Sequence, residues 1–379
     1  MGLICLSPPL VEPVSLPELK QYCRIDQGDT SQDDQIIGFG VEGRGFAETF
    51  TRKCFVKQQW RLLMDFFPGY IDLKLAGQKV SSPFVSGANA VLVGIRYAVM
   101  NPYPPVQSID AFVYLNANGM TTSMIVGPAN VVSVANPSGN PIVITTDQPL
   151  ALVPGSTVVF GGNSPLLSVL NGQSSQVVQF IEGNTLILYA LGTGSAVAGG
   201  GTATGYNFVQ DLLSNPARLS PIFGQMWPVA RVILNAVQID FSTGYANPIT
   251  VTMGTGSKNI SATDYEFQVT DIGRPISIPG AGPNGLGLNT IIQSLPSPPD
   301  GGAILRYGAT TAVTDSTALI VNGAPGGPTS ANPQHWEKLR AAIKTYTLGR
   351  YLNRMGGAGM EDAEKEVKRV LWGMRDLRL

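Results

Sequence analysis

Charge is spread so unevenly along this chain that its middle and its end must be built differently. Between residues 81 and 205 the only charged side chains are Arg96, Asp110, Asp147 and Glu182. From residue 332 onward they are dense: Glu337, Lys338, Arg340, Lys344, Arg350 and Arg354, then the run EDAEKEVKRV, then Arg375, Asp376 and Arg378. Over the whole chain charged residues make up 13%, about half the usual share of roughly 25%. Hydrophobic residues make up 44%, so the chain can bury a sizeable core, unlike a disordered segment of high charge and few apolar residues. The neutral remainder is Gly, Ser, Thr, Asn and Val, which suits short strands joined by tight turns.

Both ends read as helical. Ser15-Leu16-Pro17-Glu18 is a helix start, with Ser15 as N-cap, Pro17 in the first turn and Glu18 closing a capping box. Leu16, Leu19, Tyr22 and Cys23 then share a face. After a turn at DQGDT, Ser31 with Asp34 predicts a second helix running to about Arg52, with Ile36, Ile37, Gly40, Val41, Ala47, Phe50 and Cys54 recurring at three- and four-residue steps. Inside it lies GFGVEGRG (residues 38–45), which contains G-x-G-x-x-G. A dinucleotide site needs a strand before such glycines and a helix opening at them. Here the helix has already begun, so no nucleotide is expected. Glycines inside a helix cost about 1 kcal/mol each relative to alanine, and close approach of a neighbouring helix would offset that. At the other end Asn332 and Pro333 start a helix whose stripe is Trp336, Leu339, Ala342, Ile343, Tyr346, Gly349 and Leu352. GGAG breaks it, and residues 362–375 form a last helix with acids first and bases last, as the helix dipole prefers. The chain closes on VLWGMRDLRL.

Alternation replaces helical spacing after Trp60. Strands are predicted at QQWRLLMDF, YIDLKL, AVLVGIRYAV, SIDAFVYLN and TTSMIV, with a hairpin turn at Asn118-Gly119. Short apolar strands follow over 124–205 (NVVSVA, PIVITT, STVVFG, SQVVQFI, TLILYAL), ending in GTGSAVAGGGTATG, which reads as a flexible return. Phe160, Phe180 and Tyr189 fall within these runs and read as core. A second β-like segment covers 246–331 (PITVTM, YEFQVT, RPISIPG, NTIIQSL, AILRYG, TALIVNG).

Chemistry-bearing residues are scarce. The single histidine, His335, excludes a two-histidine metal site and weakens any Ser-His-Asp proposal. Cys5, Cys23 and Cys54 are odd in number and lack metal-type spacing, so they read as free thiols in a reducing compartment. Asp264, Glu266, Asp271, Asp300 and Asp315 could in principle supply the carboxylate pair of a glycan hydrolase, but none shows a telling spacing. A second G-x-G-x-x-G at 280–285 follows a strand, and its Pro283 prevents a helix from opening there. The net charge of -1 advertises neither nucleic acid nor membrane. The N-terminus lacks a basic n-region, and no run reaches the roughly 18 apolar residues of a membrane helix. No catalytic, cofactor or metal residues are expected, and the protein is expected to be made in the cytoplasm.

LSPPLVEPVSLPELKQYCRID, DDQIIGFGVEGRGFAETFTRKCFVKQQWRLLMDFFPG, PVQSIDAFVYLNANGMTT, YNFVQDLLSNPARLSPIFGQMWP with VQIDFSTGY, and HWEKLRAAIKTYTLGRYLNR occur in that order. Together they resemble the head–tail connector (adaptor) family of long-tailed bacteriophages. The resemblance covers residues 1–75, 101–123, 206–245 and 332–379. It leaves 76–100 as a short β insertion and 124–205 and 246–331 as inserted all-β, sandwich- or barrel-like modules. It implies an α+β fold, a helical bundle from the N- and C-terminal segments with a central β region. It further implies a non-enzymatic subunit of a ring, usually a dodecamer, that sits beneath the portal at the head–tail junction of the virion. Such a ring extends the DNA channel without gripping DNA and meets a neck, stopper or tail-terminator protein; the β insertions would reach capsid or whisker proteins. By carry-over the portal-docking tail is Val370, Leu371, Trp372, Met374, Arg375, Leu377 and Leu379. Ring or bundle contacts fall to Gly40, Gly43, Arg340, Lys344, Arg350, Tyr351 and Arg354. The rival reading is a β-rich receptor- or glycan-binding virion protein with helical ends, which requires exposed aromatics clustered in the inserts. A third, a tail-tip hydrolase, requires a carboxylate pair in a cleft.

Overall fold

The computed structural model describes residues 2–67, 99–101, 105–161, 175–194, 199–212, 217–296, 302–321, 333–353 and 358–374. It overturns the expected helical bundle around a central β region. Among the described residues the chain is mostly β, with 42% in strands and 22% in helices. It has two closed six-stranded barrels and, among the described residues, four α-helices. Every strand needs a partner on each side, and closing a sheet on itself removes both unpaired edges. Five further strands, β1 (Gly2–Ser7), β2 (Gln58–Met64), β14 (Val237–Thr243), β4 (Val106–Leu115) and β5 (Thr121–Ser123), pair in the order β1-β2-β14-β4-β5. The strands expected at YIDLKL and AVLVGIRYAV and the short insertion at 76–100 lie outside the described residues, apart from β3 (Val99–Asn101).

The chain splits into two compact units. The first comprises Met1–Ile4, Arg61–Asn101 and Ile109–Phe241. Its barrel is built from β6 (Ile125–Ala135), β7 (Pro141–Thr146), β8 (Thr157–Gly161), β9 (Ser175–Glu182), β10 (Thr185–Leu191) and β11 (Thr202–Tyr206), closed in the order β10-β7-β6-β11-β8-β9. Alternate residues fill it: Ile142, Ile144, Val158, Val178 and Leu188 are wholly buried. Part of the glycine-rich stretch read as a flexible return is β11, which pairs with both β6 and β8. Its glycine is a clearance device, because a Cβ on Gly205 would lie 2.4 Å from Leu152 Cδ2. Phe160 is core, but the same reading fails for Phe180 and Tyr189, which are 50% and 61% exposed. Both sit on the outer side of strands whose inner positions are taken by smaller aliphatic residues. A small sheet, β12 (Val209–Asp211), β13 (Ala217–Ser220) and β3, completes the first unit.

The second unit comprises Cys5–Trp60, Pro102–Ser108 and Ser242–Leu379. Its barrel takes β15 (Ala246–Met253), β16 (Asn259–Ala262), β17 (Pro275–Ile278), β18 (Leu288–Ser294), β19 (Gly302–Leu305) and β20 (Val313–Val321), in the order β15-β16-β19-β18-β17-β20. Helices α1 (Leu16–Tyr22), α2 (Asp33–Thr51), α3 (Pro333–Leu352) and α4 (Ala358–Leu371) pack around Leu19, Ile36, Ala47, Leu339, Ala342, Ile343, Val367 and Leu371. Trp336 ties α3 to β17 through its indole N–H, which donates to Ser277 Oγ at 3.2 Å. Helix α2 starts later than expected, with Gln32 at the N-cap, because the Ser31 hydroxyl donates to Asp29 Oδ1 instead (2.6 Å). The turn before it is wrapped around the buried Lys20 ammonium, which meets Gln27 O at 3.1 Å, Asp29 O at 2.7 Å and Asp33 Oδ1 at 2.8 Å.

The glycines of α2 divide into two pairs. A Cβ on Gly40 would lie 2.8 Å from Leu19 Cδ1 of α1, and one on Gly43 would lie 3.3 Å from the Ile343 carbonyl oxygen and from Tyr346 of α3. Gly38 and Gly45 have nothing within 4 Å of that position. Gly38→Ala and Gly45→Ala should therefore each stabilise the isolated chain by about 0.5–1 kcal/mol, the helix-propensity difference. Gly43→Val should lower stability, because its side chain meets backbone that cannot move aside. Thermal melts of the three variants read both signs, and a lower melting temperature for Gly38→Ala would contradict the open face of α2.

Candidate assembly surfaces

In the first unit, residues 221–235 run without regular structure between β13 and β14. Three buried side chains and two backbone hydrogen bonds anchor them. Ile222, Trp227 and Ala230 are buried. The Trp227 ring stacks on Phe67 with centroids 5.0 Å apart and planes 9° apart, and Phe67 packs in turn on Phe112. The Arg231 N–H donates to Leu115 O at 2.8 Å, and the Asn235 N–H donates to Asp65 Oδ1 at 2.9 Å. Held this way, the segment presents Phe223 (100% exposed), Met226, Val229, Val232, Ile233 and Leu234 (81%) to solvent. Exposed apolar residues scattered singly are ordinary, whereas a run of large ones on an anchored segment marks an interaction site. The residue-level reading singled out none of these positions. PIFGQMWPVARVIL has neither helical nor strand spacing, and that aperiodic apolar run from Pro221 to Leu234, interrupted by Pro228, was the available signal.

In the second unit, Leu371 and Met374 of the candidate docking tail belong to the chain's own helical core, and Val370 packs partly against it. Trp372 is 60% exposed, with its ring 6.3 Å from that of Phe50. Arg375, Leu377 and Leu379 lie outside the described residues, as does Arg354.

The candidate contact bases are also used within the chain. Arg340, 1% exposed, donates to Pro13 O at 3.1 Å and to the Glu18 carboxylate, and meets Glu337 at 3.4 Å. It is therefore not a solvated charge. Lys344 Nζ lies 3.8 Å from Glu18 Oε1, Arg350 pairs with Glu42 at 2.8 Å, and Tyr351 is half-buried. Glu18 also accepts from the Ser15 N–H and hydroxyl (both 3.2 Å) and from Asn289 Nδ2 (3.2 Å). Burial pushes the Glu18 carboxyl up, but Arg340, Lys344 and the hydrogen bonds together hold it below the usual carboxylate range. Glu48 shows the opposite balance. Burial outweighs Arg44, the Phe55 N–H (2.9 Å) and Gln58 Nε2 (2.8 Å), and holds its carboxyl high.

Two acidic residues of the second barrel serve its turns. Asp264 accepts from the Thr250 N–H (2.7 Å) and hydroxyl (2.9 Å). Asp271 accepts from Tyr265 Oη (2.9 Å) and the Gln268 N–H (2.8 Å) and pairs with Arg274 at 2.8 Å. The second glycine motif forms a one-turn 3-10 segment, Pro283–Gly285, and no α-helix opens there. His335 falls in the first turn of α3, and Asp300 lies outside the described residues. Among the described residues, no group of three or more His, Cys, Asp and Glu side chains could hold a metal ion, and no helix is long and apolar enough to cross a membrane.

No family model matches the chain, and no curated protein matches it. Among solved structures it is similar, at 12% identity and a TM-score of 0.39, to a chain from the neck of an empty gene transfer agent (GTA) particle computed with C6 symmetry. The match covers 100% of this chain and 97% of that one. It is also similar, at 12% identity, a TM-score of 0.34 and the same coverage, to a chain from the virion of a native GTA particle.

Removing one partner of a buried ion pair strands the other charge, at about 3 kcal/mol or more. Arg340→Met should destabilise by that order in chemical denaturation. The Glu18 carboxyl ionises more readily in the folded state. Its stabilisation is therefore complete above the ordinary carboxylate value of about 4.3 and is lost as pH falls through the depressed folded value. Glu48 contributes the other way, its stabilisation present at low pH and lost as pH rises through its raised value. The stability difference between the wild type and Glu18→Gln isolates the first term. It should be about 3 kcal/mol or more at neutral pH and shrink on acidification; a difference that grows towards acid would contradict the assignment.

Proposed function

We propose that this protein is a non-enzymatic structural subunit of a tailed-phage particle, a head–tail connector that forms a ring below the portal and joins the head to the neck. The observation that carries the reading is the anchored apolar segment 221–235, whose six large exposed side chains would be covered in an assembly. It lies within residues 206–245, one of the stretches on which the sequence resembles the connector family. In this reading a second copy of the chain, the portal, and a stopper or tail-terminator protein are the neighbours, and DNA passes through the ring without specific contacts.

Two measurements test it. A tag inserted in the β9–β10 turn at Gly183, where a Cβ would meet nothing within 4 Å, should label the portal vertex of purified virions in electron micrographs. Label at the distal tail tip or on fibres would overturn the reading in favour of receptor binding. The double variant Phe223→Ser, Leu234→Ser should melt like the parent, since neither side chain is buried, yet accumulate heads without tails. Normal tail attachment in that variant would remove segment 221–235 from the joint.

A further inference from the structure

The outer face of the first barrel carries a second surface that the connector reading leaves unused. Strands β9 and β10 pair as a hairpin, with Phe180 opposite Ile187 and Val178 opposite Leu188. The register shifts between these two pairs, so Gln179 is an extra, exposed residue in a bulge. Val178, Leu186 and Leu188 point into the barrel and are buried. The large exposed residues among the outward positions are Val177 (43% exposed), Phe180 (50%), Tyr189 (61%) and Leu191 (62%), with the half-buried Ile187 opposite Phe180. On one sheet face Phe180 and Tyr189 are diagonal neighbours, about 7–8 Å apart at the backbone. Two exposed aromatic side chains therefore share the outward face of this hairpin.

The second barrel serves as an internal control. It has the same strand number and closure, yet among the described residues its large exposed apolar side chains, Val269, Ile272 and Tyr307, all lie between strands. Exposed aromatics on strands are thus not a by-product of the six-stranded fold. Nor does the first barrel need them, since its interior is filled without them.

Charge narrows the ligand. Between Met124 and Gly205 the chain has no lysine or arginine, and its only charged residues are Asp147 and Glu182. Asp147 is engaged by Asn130, whose N–H and side-chain amide donate at 2.8 and 2.7 Å. An acidic polysaccharide, a phosphate group or an anionic membrane would find no cation here. What the face offers is ring surface, with the Tyr189 hydroxyl, the Gln179 amide and the half-buried Thr157 and Thr185 as neutral hydrogen-bonding groups, and the Glu182 carboxylate opposite Thr185 as an acceptor that would repel an anion. This combination fits the apolar face and hydroxyl rim of a neutral sugar. We propose that the β9–β10 face of the first barrel is a binding site for a neutral polysaccharide, with Phe180 and Tyr189 as the stacking platform. The proposal is independent of the connector reading, because a ring subunit can carry such a face on its outside and a receptor-binding protein can carry it without a ring.

The test is affinity electrophoresis of the full chain through gels containing dextran, a β-glucan, a mannan or a galactan, with alginate as the acidic control. At least one neutral polymer should retard the protein, and alginate should not. Tyr189→Ala and Phe180→Ala should each weaken that retardation by about ten-fold, the scale of one lost aromatic contact. Tyr307→Ala, on the second barrel, should leave it unchanged. Thermal melts check that each variant is folded. Retardation by none of the neutral polymers would overturn the proposal, as would retardation that survives both substitutions or is matched by alginate. If Tyr189→Ala instead lowers the oligomeric state in light scattering and no polymer binds, the face is a contact between copies of this chain and the sugar assignment falls.

Discussion

The buried pair between Glu18 and Arg340 is the contact on which the second unit depends. One carboxylate completes the start of α1 through Ser15, neutralises a guanidinium on α3, and receives the Asn289 amide from the second barrel. Arg340 in turn holds the Pro13 carbonyl, which fixes the path of the chain into α1. Residues more than three hundred positions apart in the sequence are thereby brought to one point in the interior, where a charge left alone would be far more costly than in water. The ion pair gives α1, α3 and the barrel one mutual arrangement, and the apolar contacts of Leu19, Trp336 and Leu339 then follow from it.

Around that point the architecture is governed by how closely backbones can approach. Gly43 lets α2 lie against the Ile343 carbonyl of α3, and Gly205 lets β11 pass Leu152 inside the first barrel. Glycine is permissive in both places because it lacks a Cβ, not because the chain needs to bend. In the barrels the alternation of strand residues sends every second side chain inward, so the interior fills with aliphatic residues while the outer face is left free to vary. The two barrels use that freedom differently. One keeps its strand faces free of large exposed apolar residues, and the other displays Phe180 and Tyr189.

Assembly surfaces follow the same division of labour. On segment 221–235 the buried Ile222 and Trp227 hold the backbone, and their neighbours Phe223 and Met226 are exposed among the described residues. The C-terminal tail works differently: Leu371 and Met374 complete the chain's own core, and Trp372 remains at its surface.

Much of the local structure was legible in the sequence, because local rules set it. The capping signal at Ser15 and Glu18, the apolar stripe from Trp336 to Tyr346, and the alternation in VQIDFST are all found in the structure, while Leu352, read as the end of that stripe, is exposed. What the sequence by itself determined was the type of most elements and the scarcity of charge over 81–205, since spacing and composition are properties of neighbouring residues. Only the tertiary structure decided that strands, not helices, dominate and that two sheets close into barrels. It also decided that GGTATG ends in a strand, that Arg340 is buried, and that Phe180, Tyr189 and Phe223 face outward. Each of these depends on which distant residue arrives opposite. A strand rich in valine and phenylalanine reads the same whether its second face meets a core or water, and an arginine on a helix reads as solvated until a glutamate from the other end of the chain meets it.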